Sequence, residues 1–86
     1  GALVCAICLG LHANVAGCRS RTLWTGAAAR CHRDVENRLT NAHGQNVCLA
    51  WQLPRGCRSN ARHIHECSGC GVSNHGAAQC HLRARN

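Results

Sequence analysis

The sequence has no phenylalanine, tyrosine, methionine or lysine, a single proline, two tryptophans and three acidic residues. Each shortage excludes something. Without Phe, Tyr and Met, the fifteen Leu, Ile and Val residues must fill the core of an 86-residue chain alone. That share falls below the roughly 20% at which charged chains stop folding on burial alone. A chain this short also buries only about 60% of its unfolded surface. The nominal 45% apolar content is largely thirteen alanines and nine cysteines. Asp34, Glu36 and Glu66 are the whole supply of carboxylates, which leaves little for general acid–base chemistry. The apolar stretch ALVCAICLGL has ten residues, two of them cysteines, against the ~20 that a membrane span needs, and no signal-like segment is present. No membrane partner and no small-molecule substrate are expected. With no methionine and Gly1 in first place, the chain reads as a piece of a longer protein.

What it has instead is nine cysteines, seven histidines and ten arginines. Small domains with too little core are stapled by disulfides or metal, and cysteine order separates the two. The segment ECSGCGVSNHGAAQCHLRARN reads Cys67-x2-Cys70-x4-His75-x4-Cys80. A Cys-x2-Cys turn brings two sulfurs to one ion, and a His and a Cys returning within ten residues complete a tetrahedral set. Chance gives this pattern about 0.008 times in a chain of this composition. Near the other end, CAICLGLHANVAGC gives Cys5-x2-Cys8-x3-His12-x5-Cys18, with the same spacing of 13 from first to last cysteine, so the two ends form an approximate repeat. Between them lies Cys48-x8-Cys57-x5-His63-x1-His65. In that middle set, replacement of one histidine by Cys31, or the joining of His43, stays open; His32 and His81 are also left over. An odd cysteine count disfavours a paired disulfide framework. The mixed Cys and His donors favour zinc over an iron–sulfur cluster. Three zinc ions are expected, in a reducing compartment, nucleus or cytoplasm.

The stretch from Cys67 to Cys80 resembles the CCHC zinc knuckle of retroviral and retrotransposon Gag nucleocapsid proteins. The resemblance rests on Cys67, Cys70, His75 and Cys80, on Gly71 just after the second cysteine, and on Ala77 two residues after the histidine. It implies zinc and a single-stranded nucleic-acid partner, RNA above all. Two positions depart from the family: Ser68 stands where an aromatic usually stacks a base, and Asn74 where a glycine usually precedes the histidine. The segment from Cys48 to His65 resembles a CCCH finger, also a binder of single-stranded RNA, with His63 in place of the third cysteine and a shorter final spacing.

These readings predict a small zinc-stabilised domain of few short strands and helical turns, with irregular loops around two or three structural zinc sites. Residues 1–20 hold a knuckle-like site. Residues 21–46 form a connector, with a β-hairpin turning at Val35 to Asn37. Residues 47–82 form a CCCH-like plus CCHC unit, and 83–86 a basic tail. A helix of one or two turns is expected from Val47 to Leu53, stopped by Pro54. Trp24 and the leucines at 3, 9, 11, 23 and 39 are the candidate glue. The net charge of +7 is carried by arginine alone, the residue suited to bidentate phosphate contact and base stacking. Arg55, Arg58, Arg62, Arg83 and Arg85 beside the zinc loops, with Trp51, are the candidate nucleic-acid contacts. The favoured function is a structural-zinc module contacting nucleic acid within a mobile-element or Gag-like protein. A protein-interaction or assembly module is the alternative. No enzyme is expected: a zinc deaminase needs His-x-Glu ahead of Cys-x2-Cys, whereas His65 and Glu66 are adjacent.

Overall fold

The computed structural model describes residues 3–12, 18–59 and 63–85. Four strands of two residues each form two antiparallel pairs: β1 (Leu3–Val4) with β2 (Leu11–His12), and β3 (His32–Arg33) with β4 (Leu39–Thr40). Leu3 lies opposite His12 and His32 opposite Thr40. No α-helix occurs among the described residues, which otherwise hold two single 3-10 turns, Ala50–Gln52 and Ala77–Gln79. The radius of gyration, 11.5 Å, is close to the ~12 Å of a folded chain of this length.

Elements this short follow from a sequence with no sustained apolar periodicity, so local turns set the architecture. The β1–β2 connection is a cysteine turn: Cys5 N–H donates to Gly10 O at 2.8 Å, and Leu9 N–H to Cys5 O at 3.0 Å. The same turn recurs far along the chain, where Cys67 N–H donates to Val72 O at 2.7 Å and Gly71 N–H to Cys67 O at 2.8 Å. Gly71 takes φ +86°, and its counterpart Leu9 takes φ +58°. That conformation suits glycine and costs a side-chain-bearing residue about 1–2 kcal/mol. Leu9 adopts it because its side chain, 0% exposed, is the bolt between the two turns, packed with Leu23, Cys67, Ala77 and Cys80. Gly69 makes room for it, since a Cβ there would meet Leu9 Cδ1 at 2.6 Å. Ala84 N–H donates to Leu9 O at 2.8 Å, so the basic tail closes on the first turn.

The β3–β4 hairpin turns on Asp34. Its Oδ1 accepts the Glu36 and Arg38 N–H groups at 2.9 Å each, and Asn37, a residue tolerant of this region, sits at φ +62°. Those N–H groups, led by that of Arg38, hold the Asp34 carboxyl below its ordinary range. β4 runs on into the middle segment, where Val47 N–H donates to Leu39 O at 2.9 Å and Cys48 N–H to Ile64 O at 3.0 Å. This pairing explains why the expected helix from Val47 to Leu53 shrinks to the turn Ala50–Gln52: Val47 and Cys48 are committed to neighbouring strands. Leu53, at φ −88° and ψ 160°, has the extended backbone that a following proline favours.

Two small cores result. One joins Cys5, Ala6, Ile7, Cys31, Leu39 and Val47; the other surrounds Leu9. Trp24 and Leu3 do not glue the core as expected. Trp24 is 55% exposed, with its indole N–H donated to Leu82 O at 2.8 Å, and Leu3 is also exposed. Leu9, Leu23 and Leu39 are buried.

Candidate metal centres

The fold brings twelve side chains into three clusters: Cys5, Cys8, His12 and Cys18; Cys48, Cys57, His63 and His65; and Cys67, Cys70, His75 and Cys80. Within each, one donor atom per residue lies within 4.8 Å of the others. These clusters can hold metal ions, and each supplies four protein donors.

The first cluster is built by the β1–β2 turn. Ile7 N–H and Gly10 N–H point at Cys5 Sγ and Cys8 Sγ at 3.3 and 3.4 Å, and Cys8 Sγ lies 3.5 Å from His12 Nε2. The third cluster repeats the plan, with Gly69 N–H 3.3 Å from Cys67 Sγ and Cys70 Sγ 3.4 Å from His75 Nε2. Backbone N–H groups aimed at sulfur favour the thiolate. Burial opposes them and pushes the Cys5 and Cys67 thiols up to about 12. At Cys18 burial also opposes ionisation, but the Ser20 N–H and the neighbouring thiols outweigh it and the thiol is lowered. A buried thiol that holds its proton so tightly becomes a thiolate only beside a cation, and a coordinated thiol is deprotonated outright.

His75 has its other ring nitrogen, Nδ1, 2.7 Å from Asn74 Oδ1. With Nε2 turned to the cluster, Nδ1–H is the donor, the arrangement that fixes a ligand histidine's tautomer. Asn74 thus has a local task. Ser68 is fully buried and its N–H donates to Gln52 Oε1 at 2.9 Å, so this position offers no surface to a base.

In the middle cluster Cys57 Sγ lies 3.6 Å from His63 Nδ1, and His65 carries a buried Nε2 with no hydrogen-bond partner. A buried ring nitrogen without a partner, on a residue of this cluster, suits a bound cation. Trp51 stacks on His65 with ring centroids 4.5 Å apart and planes 2° from parallel, and its indole N–H donates to His75 O at 3.0 Å. Trp51 therefore clamps a candidate ligand and has one ring face occupied. Trp51→Leu is expected to lower the affinity of the middle cluster for a divalent ion about 10- to 100-fold and to leave the first cluster unchanged. Competition with a chromophoric chelator measures both.

The leftover residues resolve away from the middle cluster. Cys31 packs in the first core, where burial pushes its thiol up to about 11, so at neutral pH it is a small apolar side chain. His43, His32 and His81 are exposed and belong to no cluster.

Two features carry no spacing signal. Gln52, 1% exposed, uses its whole amide: Nε2 donates to Cys48 O at 3.1 Å and Glu66 O at 2.7 Å, while Oε1 accepts the Ser68 and Ala77 N–H groups at 2.9 Å each. It ties the middle cluster to the third. Glu66 joins Arg30 at 2.5 Å and Asn41 Nδ2 at 3.2 Å, binding the connector to the same unit.

Of the candidate nucleic-acid contacts, Arg55 and Arg58 line one groove with Gly56, and Trp51 and Arg55 line an adjoining one with Asn74 and His75. Arg83 leans back to donate to Cys80 O at 2.7 Å, and Arg85 is exposed. Arg62 lies outside the described residues. No helix among the described residues is long and apolar enough to cross a membrane. No family model, curated protein or solved structure matches the chain, so its reading rests on its own residues.

Proposed function

We propose that the chain is a binding module held together by three structural zinc ions, and that it contacts single-stranded nucleic acid in the manner of nucleocapsid-type knuckles. The convergence of three complete Cys/His donor sets in a chain with almost no aliphatic core carries this reading. Zinc–sulfur and zinc–nitrogen bonds of about 2.3 and 2.0–2.1 Å set a tetrahedral edge of about 3.6 Å. The sulfur–nitrogen separations of 3.4, 3.5 and 3.6 Å match that edge. Four protein donors per ion make each site closed, as structural sites are, where catalytic zinc keeps a position for water. Each ion supplies the cohesion that the missing core cannot, because metal binding free energy becomes folding free energy.

The nucleic-acid part rests on charge and placement: a net +7 made of arginine, with Arg55 and Arg58 in a groove that adjoins the one lined by Trp51. Arg62, Arg83 and Arg85 extend the basic set in sequence. Titration of a labelled single-stranded oligonucleotide in rising salt tests it. Binding that falls steeply with salt supports phosphate contact. A salt-insensitive protein partner with no oligonucleotide binding would favour the assembly reading.

Zinc loading also predicts a proton count. Eight of the twelve donors are cysteines, and each must lose its proton to bind a metal ion; burial pushes Cys5 and Cys67 up to about 12. At pH 7 loading is expected to release close to eight protons per chain. Since the unloaded chain binds more protons, stability of the loaded form rises with pH and is lost on acidification. Calorimetry in buffers of different ionisation enthalpy counts the protons, and a value near zero contradicts thiolate ligation.

A further inference from the structure

Arg55 and Arg58 are exposed residues of a strap, Pro54 to Arg58, that follows the turn Ala50–Gln52. Among the described residues, the strap backbone makes one hydrogen bond, Gly56 N–H to Leu53 O at 2.9 Å, which is local to the strap's own beginning. The side chain that ties it to the rest of the molecule is Cys57, a member of the middle cluster whose Sγ lies 3.6 Å from His63 Nδ1. The other side of that cluster is fixed by hydrogen bonds and stacking. Cys48 N–H donates to Ile64 O at 3.0 Å, Val47 pairs with Ile64 in a parallel bridge, and His65 lies flat against Trp51. Gln52 fastens this body to the third cluster, and Leu9 bolts the third cluster's turn to the first. The two adjoining grooves divide in the same way. Arg55, Gly56 and Arg58 come from the strap, and Trp51, Asn74 and His75 from the body. An ion held by Cys48, Cys57, His63 and His65 is therefore a crosslink between strap and body. Without that crosslink the strap residues regain backbone freedom, and a ligand must order them again before both arginines can meet it.

We propose that the middle cluster fastens this strap, so that occupancy of this one cluster gates nucleic-acid binding while the first and third clusters maintain the fold. The inference rests on the nucleic-acid reading above and adds its regulation. The coupling is reciprocal by linkage. Whatever factor the occupied cluster adds to oligonucleotide affinity, the bound oligonucleotide returns to ion affinity at that cluster.

The test uses the full zinc-loaded chain and a fluorescein-labelled twelve-nucleotide oligouridine. Cys57→Ala with His63→Ala is expected to carry two zinc ions by native mass spectrometry and to keep the amide resonances of Leu9 and Ala77 in place. It should bind the oligonucleotide about tenfold more weakly than the wild type, within the usual range of coupling between sites. The wild-type chain supplies a readout independent of any variant. Chelator is added in steps, freed thiols are alkylated, and the modified cysteines are mapped. Saturating oligonucleotide is expected to raise the chelator concentration that exposes Cys48 and Cys57 by the same factor, about tenfold, and to leave that for Cys5 and Cys8 unchanged. Arg55→Gln with Arg58→Gln is expected to keep three ions and lose this protection. Wild-type affinity in the folded two-ion variant, or chelation at Cys48 and Cys57 that the oligonucleotide does not affect, overturns the gate and leaves the nucleic-acid reading standing. A two-ion variant that loses its compact fold overturns the division between the clusters. A wild-type chain that binds no oligonucleotide overturns both the gate and the nucleic-acid reading.

Discussion

Gln52→Leu is expected to cost the zinc-loaded chain at least about 3 kcal/mol, more than half of the stability a small domain holds. Leucine approximates the shape of the side chain but supplies none of its four hydrogen bonds. The Ser68 and Ala77 N–H groups belong to fully buried residues, and an unsatisfied buried polar group costs about 1–3 kcal/mol. The carbonyls of Cys48 and Glu66 lose their donor as well. Small domains hold only about 5 kcal/mol in reserve. Gln52→Glu should be worse, because a carboxylate oxygen would then face those two carbonyls. Denaturant unfolding of the loaded variants, followed by zinc release to an indicator, gives the number. A loss below about 1 kcal/mol would show that the link between the middle and third clusters lies elsewhere.

Leu9 makes the second large prediction, one with an unusual ordering. Leu9→Ala empties the seat between the two cysteine turns and is expected to cost about 2–5 kcal/mol, the range for buried leucine truncation. Leu9→Gly removes the same packing and one methyl more, yet it should be less damaging by about 1 kcal/mol. At φ +58° alanine still bears the left-handed strain that glycine escapes. At an ordinary backbone position the order is reversed. The ranking of the two variants by denaturant midpoint therefore separates strain from packing at one residue. Alanine outranking glycine would mean that Leu9 is not strained in solution.

The Cys/His clusters are the most legible part of the molecule. A tetrahedral ion draws its ligands from turns with fixed local spacing, so Cys67-x2-Cys70 and its N-terminal counterpart name their own clusters. The middle set was ambiguous because Cys48 is brought to His63 and His65 by a pairing with Ile64, and such contacts leave no spacing. Leu9 is among the leucines expected to pack, and it does, but its seat between the two turns is silent in sequence: the turn after Cys8 has leucine where Cys70 is followed by glycine, and of its buried packing partners only Leu23 lies near it in the chain. Gln52 in AWQLP looks like a surface amide. Only the third cluster arriving beside it, through Ser68 and Ala77, turns it into a hub. The Arg30–Glu66 pair, 36 residues apart, is equally silent in sequence. Trp24 misled in the other direction. Size suggested a core residue, but alanine and cysteine occupy the small interior, and the indole is left outside with only its N–H tied down. In a chain this poor in large side chains, burial follows the cysteine turns more than hydrophobicity.

Native mass spectrometry of the reduced chain, loaded with zinc and then challenged with a chelator, tests the central claim most directly. Three zinc ions per chain, their removal accompanied by loss of the compact fold, is the expected result. A metal-free chain eight hydrogens lighter, or one that stays folded when reduced and stripped of metal, would contradict it.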